Sequence, residues 1–130
     1  MNDTGRAGET VIVRGRVTFP LGARPVPPYT VVVRVEDVSR ADAPSTIVGE
    51  SRLENPTLPP GPQPELDFAL AVPTAALSGP VRLNVRVHVR SSRPGERRRD
   101  EAIEIGDLVS TRSHPVVPGE GLIRVPLQRV

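Results

Sequence analysis

The sequence predicts an all-β fold, an antiparallel β-sandwich of about seven strands in a single domain. Valine-rich segments alternate with a period of two, which is typical of strands that turn one face to a core. Sixteen prolines and eleven glycines interrupt these segments, at the spacing of short strands in a sandwich. No stretch has the length and period of a long helix. Two sheets packed face to face are therefore the expected way to bury the valines.

The central unit of the chain is residues 29–50, which predict a strand, a polar turn and a second strand. Val31, Val33 and Val35 point one way, and the residues between them point the other. The short connection through Pro44 predicts an antiparallel pair. The same alternation predicts further strands within residues 10–19, 65–72, 81–90, 102–110 and 122–130. Residues 1–9 are expected to form a flexible N-terminal segment before a domain covering 10–130.

The connections carry their own signals. Residues 20–28 and 51–64 are rich in proline and cannot pair within a central strand. Leu53 and Leu58 are expected to anchor the second of these connections to the core. One helical turn is expected within residues 73–80, ended by Gly79. Gly15, inside the first strand, indicates a bulge or a close approach of backbone.

The composition excludes several classes of protein. The 130 residues include no cysteine, so the chain has no disulfide framework, thiolate nucleophile or cysteine-ligated zinc site. The first eight residues lack the apolar core of a signal peptide. No run reaches the roughly 18 apolar residues of a membrane-spanning helix. The expected location is the cytoplasm for the chain as written, or the cell envelope if a leader and a lipidated cysteine precede Met1.

A polar turn follows the central strand and contains Asp37, Ser39, Asp42 and Pro44. Short Asp and Ser side chains bond to their own backbone and favour turns. Carboxylates on a loop are also ligands for calcium, but the spacing is not that of a known calcium loop. The turn is therefore predicted to be structural, and no metal or cofactor is expected.

The most polarised surface predicted from the sequence is an arginine stripe, which begins on the strand at 81–90 and continues into the charged loop after it. Its members are Arg82, Arg86, His88, Arg90, Arg97, Arg98 and Arg99. One interpretation is an anion-binding surface for acidic polysaccharide, lipid head groups or an acidic protein. The other, which we favour, is a solvated strand face whose charges are balanced by acids such as Asp100, Glu101 and Glu104.

Nucleic-acid binding and catalysis are not expected. The net charge is only +2, and the chain has two Phe, one Tyr and no Trp for base stacking. His88 and His114 are the only histidines, and no serine sits in a nucleophile-elbow pattern. The remaining function class is a binding module, which would hold a protein partner through the arginine stripe or an exposed sheet edge. The oligomeric state stays open.

A family resemblance adds to this interpretation. It is carried by VRGRVTF at 13–19, VVVRVEDVSRADAPS at 31–45, IVGE at 47–50, and the later PQP, LDFAL, RLNVRVHV and HPVV segments. In these segments the chain resembles the YbaY-type lipoprotein domain, which is grouped with the YscW-type pilotins of type III secretion. The run DVSRADAPS at 37–45 is the most specific part.

The resemblance implies a small β-sandwich without enzymatic activity. For the pilotin branch it implies a chaperone that helps a secretin reach the outer membrane. Members of the family carry a secretory leader and a lipidated cysteine, neither of which lies in this sequence. The segment 91–106 also looks longer and more charged than the hairpin that is usual in the family.

Overall fold

Strands dominate the computed structural model, which describes residues 9–40, 42–77, 79, 81–91, 103–110, 114–116 and 121–130. Helical structure in these ranges is confined to one 3₁₀ turn at Thr74–Leu77, where a helical turn was predicted. The strands are β1 (Thr10–Thr18), β2 (Tyr29–Asp37), β3 (Thr46–Glu54), β4 (Glu65–Pro73), β5 (Leu83–Ser91), β6 (Leu108–Val109), β7 (Pro115–Val116), β8 (Ile123–Pro126) and β9 (Gln128–Arg129). The all-β prediction is confirmed.

The described ranges hold nine strands rather than about seven. The difference arises after β5, where the chain forms four strands of two to four residues instead of two longer ones. In addition, β3 runs on to Glu54, into the connection predicted for 51–64, because its pairing with β2 continues that far. The number and length of these strands depend on pairing with neighbours more than on the local sequence.

Two sheets form a single small domain. The first sheet has the order β4-β1-β8, and the second has the order β3-β2-β5-β6-β9, with β7 also pairing with β5. Most pairs are antiparallel, including the predicted β2–β3 pair. The pairing of β8 with β1 is parallel, so the predicted antiparallel sandwich contains one parallel pair among the described strands. The chain crosses between the sheets after Pro126, since β8 belongs to the first and β9 to the second.

The core between the sheets is built mainly of valine. The largest fully buried side chains are Phe19, Val13, Val17, Val31, Val33, Val35, Val72, Val85, Val87, Val89 and Val125. Apart from Phe19, which directly follows β1, they lie on the inward-facing alternate positions of their strands, as the two-residue period predicted. A core of short β-branched side chains suits a sheet because these side chains are stiff and pack well on a pleated surface.

Gly15 provides room for one of the two phenylalanines. It pairs with Phe68 across the β1–β4 ladder. A Cβ atom at position 15 would lie 2.3 Å from the Phe68 ring and 2.8 Å from the carbonyl oxygen of Ile123. The predicted close approach at Gly15 is therefore real, and it lets the ring lie against the backbone of β1.

The two proline-rich connections hold each other in place. Arg24 Nη1 donates hydrogen bonds to the carbonyls of Pro59 (2.7 Å) and Gly61 (3.2 Å). The backbone N–H of Gly22 donates to the carbonyl of Pro62 at 2.7 Å. Leu58 is buried in the core, as predicted for an anchor of this connection. Proline removes backbone donors, so side-chain donors such as Arg24 supply bonds that a regular ladder would have made.

The outer face of the second sheet departs from simple alternation. The inner residues Val31, Val33 and Val35 of β2 are buried against the core, as predicted. On the opposite face, Val32 and Glu36 are buried as well, although the sequence predicted that this face would point to solvent. β2 lies between β3 and β5, so its outer side chains are flanked on both sides. β2, which has a neighbouring strand on each side, forms part of the floor of the candidate site.

Candidate functional site

A pocket of about 480 Å³ lies on the outer face of the second sheet. Its floor consists of side chains from the two central strands, β2 and β5: Val32, Arg34, Glu36, Arg86 and His88. Val32 stands directly opposite His88 across the ladder, and Arg34 stands opposite Arg86. The volume falls in the range of ligand pockets in proteins, roughly 300–1,000 Å³.

The rim of the pocket is partly apolar because β3 contains a bulge. Val35 pairs with Gly49, whereas the next residue, Glu36, pairs with Ile47. Val48 is therefore the extra residue on β3, and Ile47 falls on the same face as Glu36. Pro44 and Ile103 also line the pocket. Ile47 and Ile103 are both exposed, so they present apolar surface beside the charged floor.

Arg34 is held by an acidic residue on β3. Its Nε donates to Glu50 Oε2 at 2.8 Å, and Arg52 Nε donates to Glu50 Oε1 at 3.1 Å. The hydrogen bond from Arg34 is the main reason that the pKa of Glu50 lies below its ordinary value of 4.5, and Arg52 adds to the effect. This carboxylate therefore fixes two guanidinium groups on one side of the pocket.

Glu36 and Arg86 form a looser pair at the centre. Glu36 Oε1 lies 3.5 Å from Arg86 Nε. The Glu36 side chain is only 7% exposed, whereas that of Arg86 is 62% exposed. Glu36 Oε1 is shielded from water and accepts no hydrogen bond from the described residues. Buried carboxylate oxygens are nearly always hydrogen-bonded, which makes this one unusual.

His88 is fixed from the other side. Its Nε2 lies 2.7 Å from Asp107 Oδ2, and both side chains are largely buried. The same carboxylate oxygen accepts a hydrogen bond from the backbone N–H of Glu104 at 3.0 Å. The turn at 103–107 is thereby attached to the outer face of β5, which brings Ile103 to the pocket.

The predicted turn after β2 borders this site. Asp37 Oδ1 accepts hydrogen bonds from the backbone N–H of Ser39 (2.9 Å) and from the Ser39 hydroxyl. These bonds, the hydroxyl first, lower the pKa of Asp37. Asp42 is exposed in the same turn, and Pro44 lines the pocket. Over the described ranges, no cluster of three or more His, Asp or Glu side chains is arranged to hold a metal ion.

The comparisons with known proteins concern the fold. No family model matches the chain, and no curated protein matches its sequence. The structure is similar to that of an alternative pilotin from the type II secretion system of Vibrio cholerae, with a TM-score of 0.65 and 17% sequence identity. The likeness covers 94% of this chain and 100% of the pilotin.

The chain has a pilotin-like fold. At this identity the likeness concerns the fold alone, and it does not single out the YbaY-type or YscW-type families. In the described ranges, no helix has the length and apolar character required to cross a membrane.

The pilotin-like fold separates the members of the predicted arginine stripe. Arg86 and His88 meet in the pocket, whereas Arg82 is exposed near the turn, where its backbone N–H donates to Ser39 Oγ at 2.8 Å. Arg90 is buried, although the sequence predicted that it would point to solvent. Arg97, Arg98 and Arg99 lie outside the described residues.

Two members of the stripe, Arg86 and His88, lie beside acidic residues that sequence reasoning did not select. Arg86 lies beside Glu36 and His88 beside Asp107. Of the acids proposed as counter-charges, Asp100 and Glu101 lie outside the described residues, and Glu104 contacts Asp107 through its backbone. Two features of the sequence indicate the pocket. Val32 is an apolar residue on the predicted polar face of its strand, and Ile47 is an apolar residue just after the polar turn that follows this strand. Only the bulge at Val48 brings them together.

One sheet edge is partly covered. Gly49 of β3 lies against β4 of the other sheet, where a Cβ atom would meet Leu70 Cδ1 at 2.7 Å and the carbonyl oxygen of Ala71 at 3.0 Å. The edge strands of the two sheets therefore approach each other at this corner. The addition of a partner strand at a sheet edge would be hindered here, because the backbone of β4 is already close to β3.

Proposed function

We propose that the protein is a non-catalytic, pilotin-like module that binds a protein partner. The observation that carries this proposal is the agreement of its fold with a type II secretion pilotin over nearly the whole of both chains. The pocket supports it, because apolar side chains beside paired charges are typical of recognition sites.

The class of partner follows from the same reasoning. A pilotin acts within a secretion system, and the resemblance to the YscW-type pilotins implies a chaperone role towards a secretin. We therefore propose a secretin-type subunit of a secretion system as the partner and the cell envelope as the location. The chain contributes a binding surface in this role, with no cofactor.

The test is deletion of the gene in the native organism, followed by measurement of secretin multimers in outer-membrane fractions. We expect the multimers to decrease and a plasmid copy of the gene to restore them. Cross-linking of a tagged copy should recover the same secretin subunit. Unchanged multimers together with no cross-linked secretion-system protein would contradict the proposal.

A further inference from the structure

The pocket is lined by a buried carboxylate, that of Glu36. Its side chain is more than nine-tenths buried, and its Oε1 accepts no hydrogen bond from the described residues. Its neighbour Arg86 is mostly exposed, so the Arg86 side chain loses little when it turns aside. A ligand that supplies a donor to Oε1 would therefore satisfy an oxygen that the described residues leave without a hydrogen bond.

The charges around the pocket favour a ligand without net charge. Arg86 stands beside Glu36, and Arg34 is bound to Glu50. His88 is bound to Asp107. A ligand cation would be repelled by the two neighbouring guanidinium groups, and a ligand anion would compete with Glu36 for Arg86. A neutral group that donates to Glu36 and accepts from Arg86 leaves the Arg34–Glu50 and His88–Asp107 pairs intact and gives Glu36 and Arg86 each a new partner.

A peptide group has this combination, with one N–H donor and one carbonyl acceptor. The rim offers apolar surface from Ile47 and Ile103 for an adjoining side chain. The bulge at Val48 is what sets Ile47 beside Glu36, and bulges are frequent next to functional sites.

We propose that this pocket binds an extended peptide segment of a protein partner. One backbone N–H of the segment donates to Glu36 Oε1, the carbonyl of the same peptide group accepts from the Arg86 guanidinium, and an adjoining apolar side chain packs between Ile47 and Ile103. The inference rests on the proposed function for the nature of the partner, and it adds the surface and the chemistry of recognition.

The experiment uses the whole chain and a phage-displayed library of random linear peptides. Peptides enriched on the wild-type protein are synthesised, and their affinities are measured by isothermal titration calorimetry. We expect Glu36→Val to lower the affinity about tenfold, since it removes the acceptor and replaces it with a β-branched residue that suits a strand. We expect Glu36→Gln, which keeps a carbonyl acceptor, to bind within about threefold of the wild type.

Two further variants distinguish peptide binding in the pocket from nonspecific binding to apolar surface. Ile47→Asp places a charge on the apolar rim and is expected to lower the affinity about tenfold or more. Leu21→Asp is the matched control, because Leu21 is 73% exposed and does not line the pocket. Circular dichroism melts show that each variant is folded before its affinity is interpreted.

Three outcomes would overturn the proposal. The first is that no peptide is enriched on the wild-type protein. The second is that the Ile47→Asp and Leu21→Asp variants bind the peptides with equal affinity, and the third is that binding requires a basic side chain in the peptide and is lost in Glu36→Gln.

The proposal about the pocket and the proposal about secretin can be tested separately. If the tagged Ile47→Asp protein cross-links to the secretin subunit as well as the wild type does, the proposed function stands and the pocket proposal is wrong. If peptides bind the pocket while gene deletion leaves the secretin multimers unchanged, the secretin role is wrong.

Discussion

At the scale of single residues, the outer face of the second sheet holds two carboxylates in different states, Glu36 on β2 and Glu50 on β3. Glu50 accepts one hydrogen bond on each of its carboxylate oxygens, from Arg34 and from Arg52. Glu36 is more deeply buried, yet its Oε1 accepts no hydrogen bond from the part of the chain that the structure describes and lies 3.5 Å from Arg86 Nε. The first arrangement stabilises the free protein, whereas the second leaves a group ready for a ligand.

The pairing of Glu50 predicts a dependence of stability on pH. Its folded-state pKa is lowered, mainly by Arg34, so its stabilising effect is present above the ordinary value of 4.5 and is lost as the pH falls through the lowered value. We expect Glu50→Gln to reduce the free energy of unfolding at about pH 6, and the difference from the wild type to shrink towards about pH 3. Urea denaturation at several pH values measures this.

The control for this prediction is Glu9→Gln, which removes an exposed carboxylate just before β1. A wild-type stability curve that runs parallel to that of Glu50→Gln across the acidic range would show that the pairing with Arg34 has no effect on stability.

At the scale of elements, the pairing of β1 with β4 depends on a small residue facing a large one. Gly15 leaves the space that the Phe68 ring fills, and Ile123 of the parallel strand β8 closes the other side. A side chain at position 15 would therefore disturb three strands of the first sheet at once.

We expect Gly15→Ala to destabilise the protein by about 1–3 kcal/mol, because the new methyl group overlaps the Phe68 ring and approaches a backbone oxygen. The midpoint of urea unfolding measures the change. Gly121→Ala is the matched control, since a Cβ atom there has no neighbour within 4 Å. Equal midpoints for the two variants would mean that the ring moves aside without cost.

At the scale of the whole molecule, stability comes from a valine core between two sheets, and recognition is assigned to the opposite face of the second sheet. β2 serves both purposes. Val33 is fully buried in the core, while its neighbours Val32 and Arg34 line the pocket. The pilotin-like fold thus supports its candidate site with the most enclosed strand of the domain, which fixes the positions of the side chains in the pocket.

We expect Val33→Ala to lower the free energy of unfolding by about 2 kcal/mol, from the lost burial of two carbon atoms and the cavity that remains. Val26→Ala is the control with the same chemistry, because Val26 is 72% exposed. Its effect should lie within about 0.5 kcal/mol of the wild type. A loss of free energy of unfolding at position 33 as small as that at position 26 would show that the core closes around the missing atoms. Val33→Ala should leave peptide binding unchanged if the fold is retained.

The two-residue alternation of the strands and the positions of proline and glycine predicted much of the fold. The period of two around Val33 identified the inner face of β2, and Phe68 and Leu70 were correctly turned to the core on β4. The close approach at Gly15 could be predicted as well, because a glycine inside a valine-rich strand often marks a bulge or a neighbouring group packed against the backbone. These features are local, so a single sequence carries them.

Only the tertiary structure decided which residues meet on the outer face. The bulge at Val48 shifts Ile47 beside Glu36, and the parallel return of β8 could not be predicted from any local pattern. The arginine stripe was predicted as one surface, yet Arg90 is buried while Arg86 stands beside Glu36. The physical reason is that alternation fixes the side of a strand on which a residue lies, whereas register and packing fix its neighbours and its access to water.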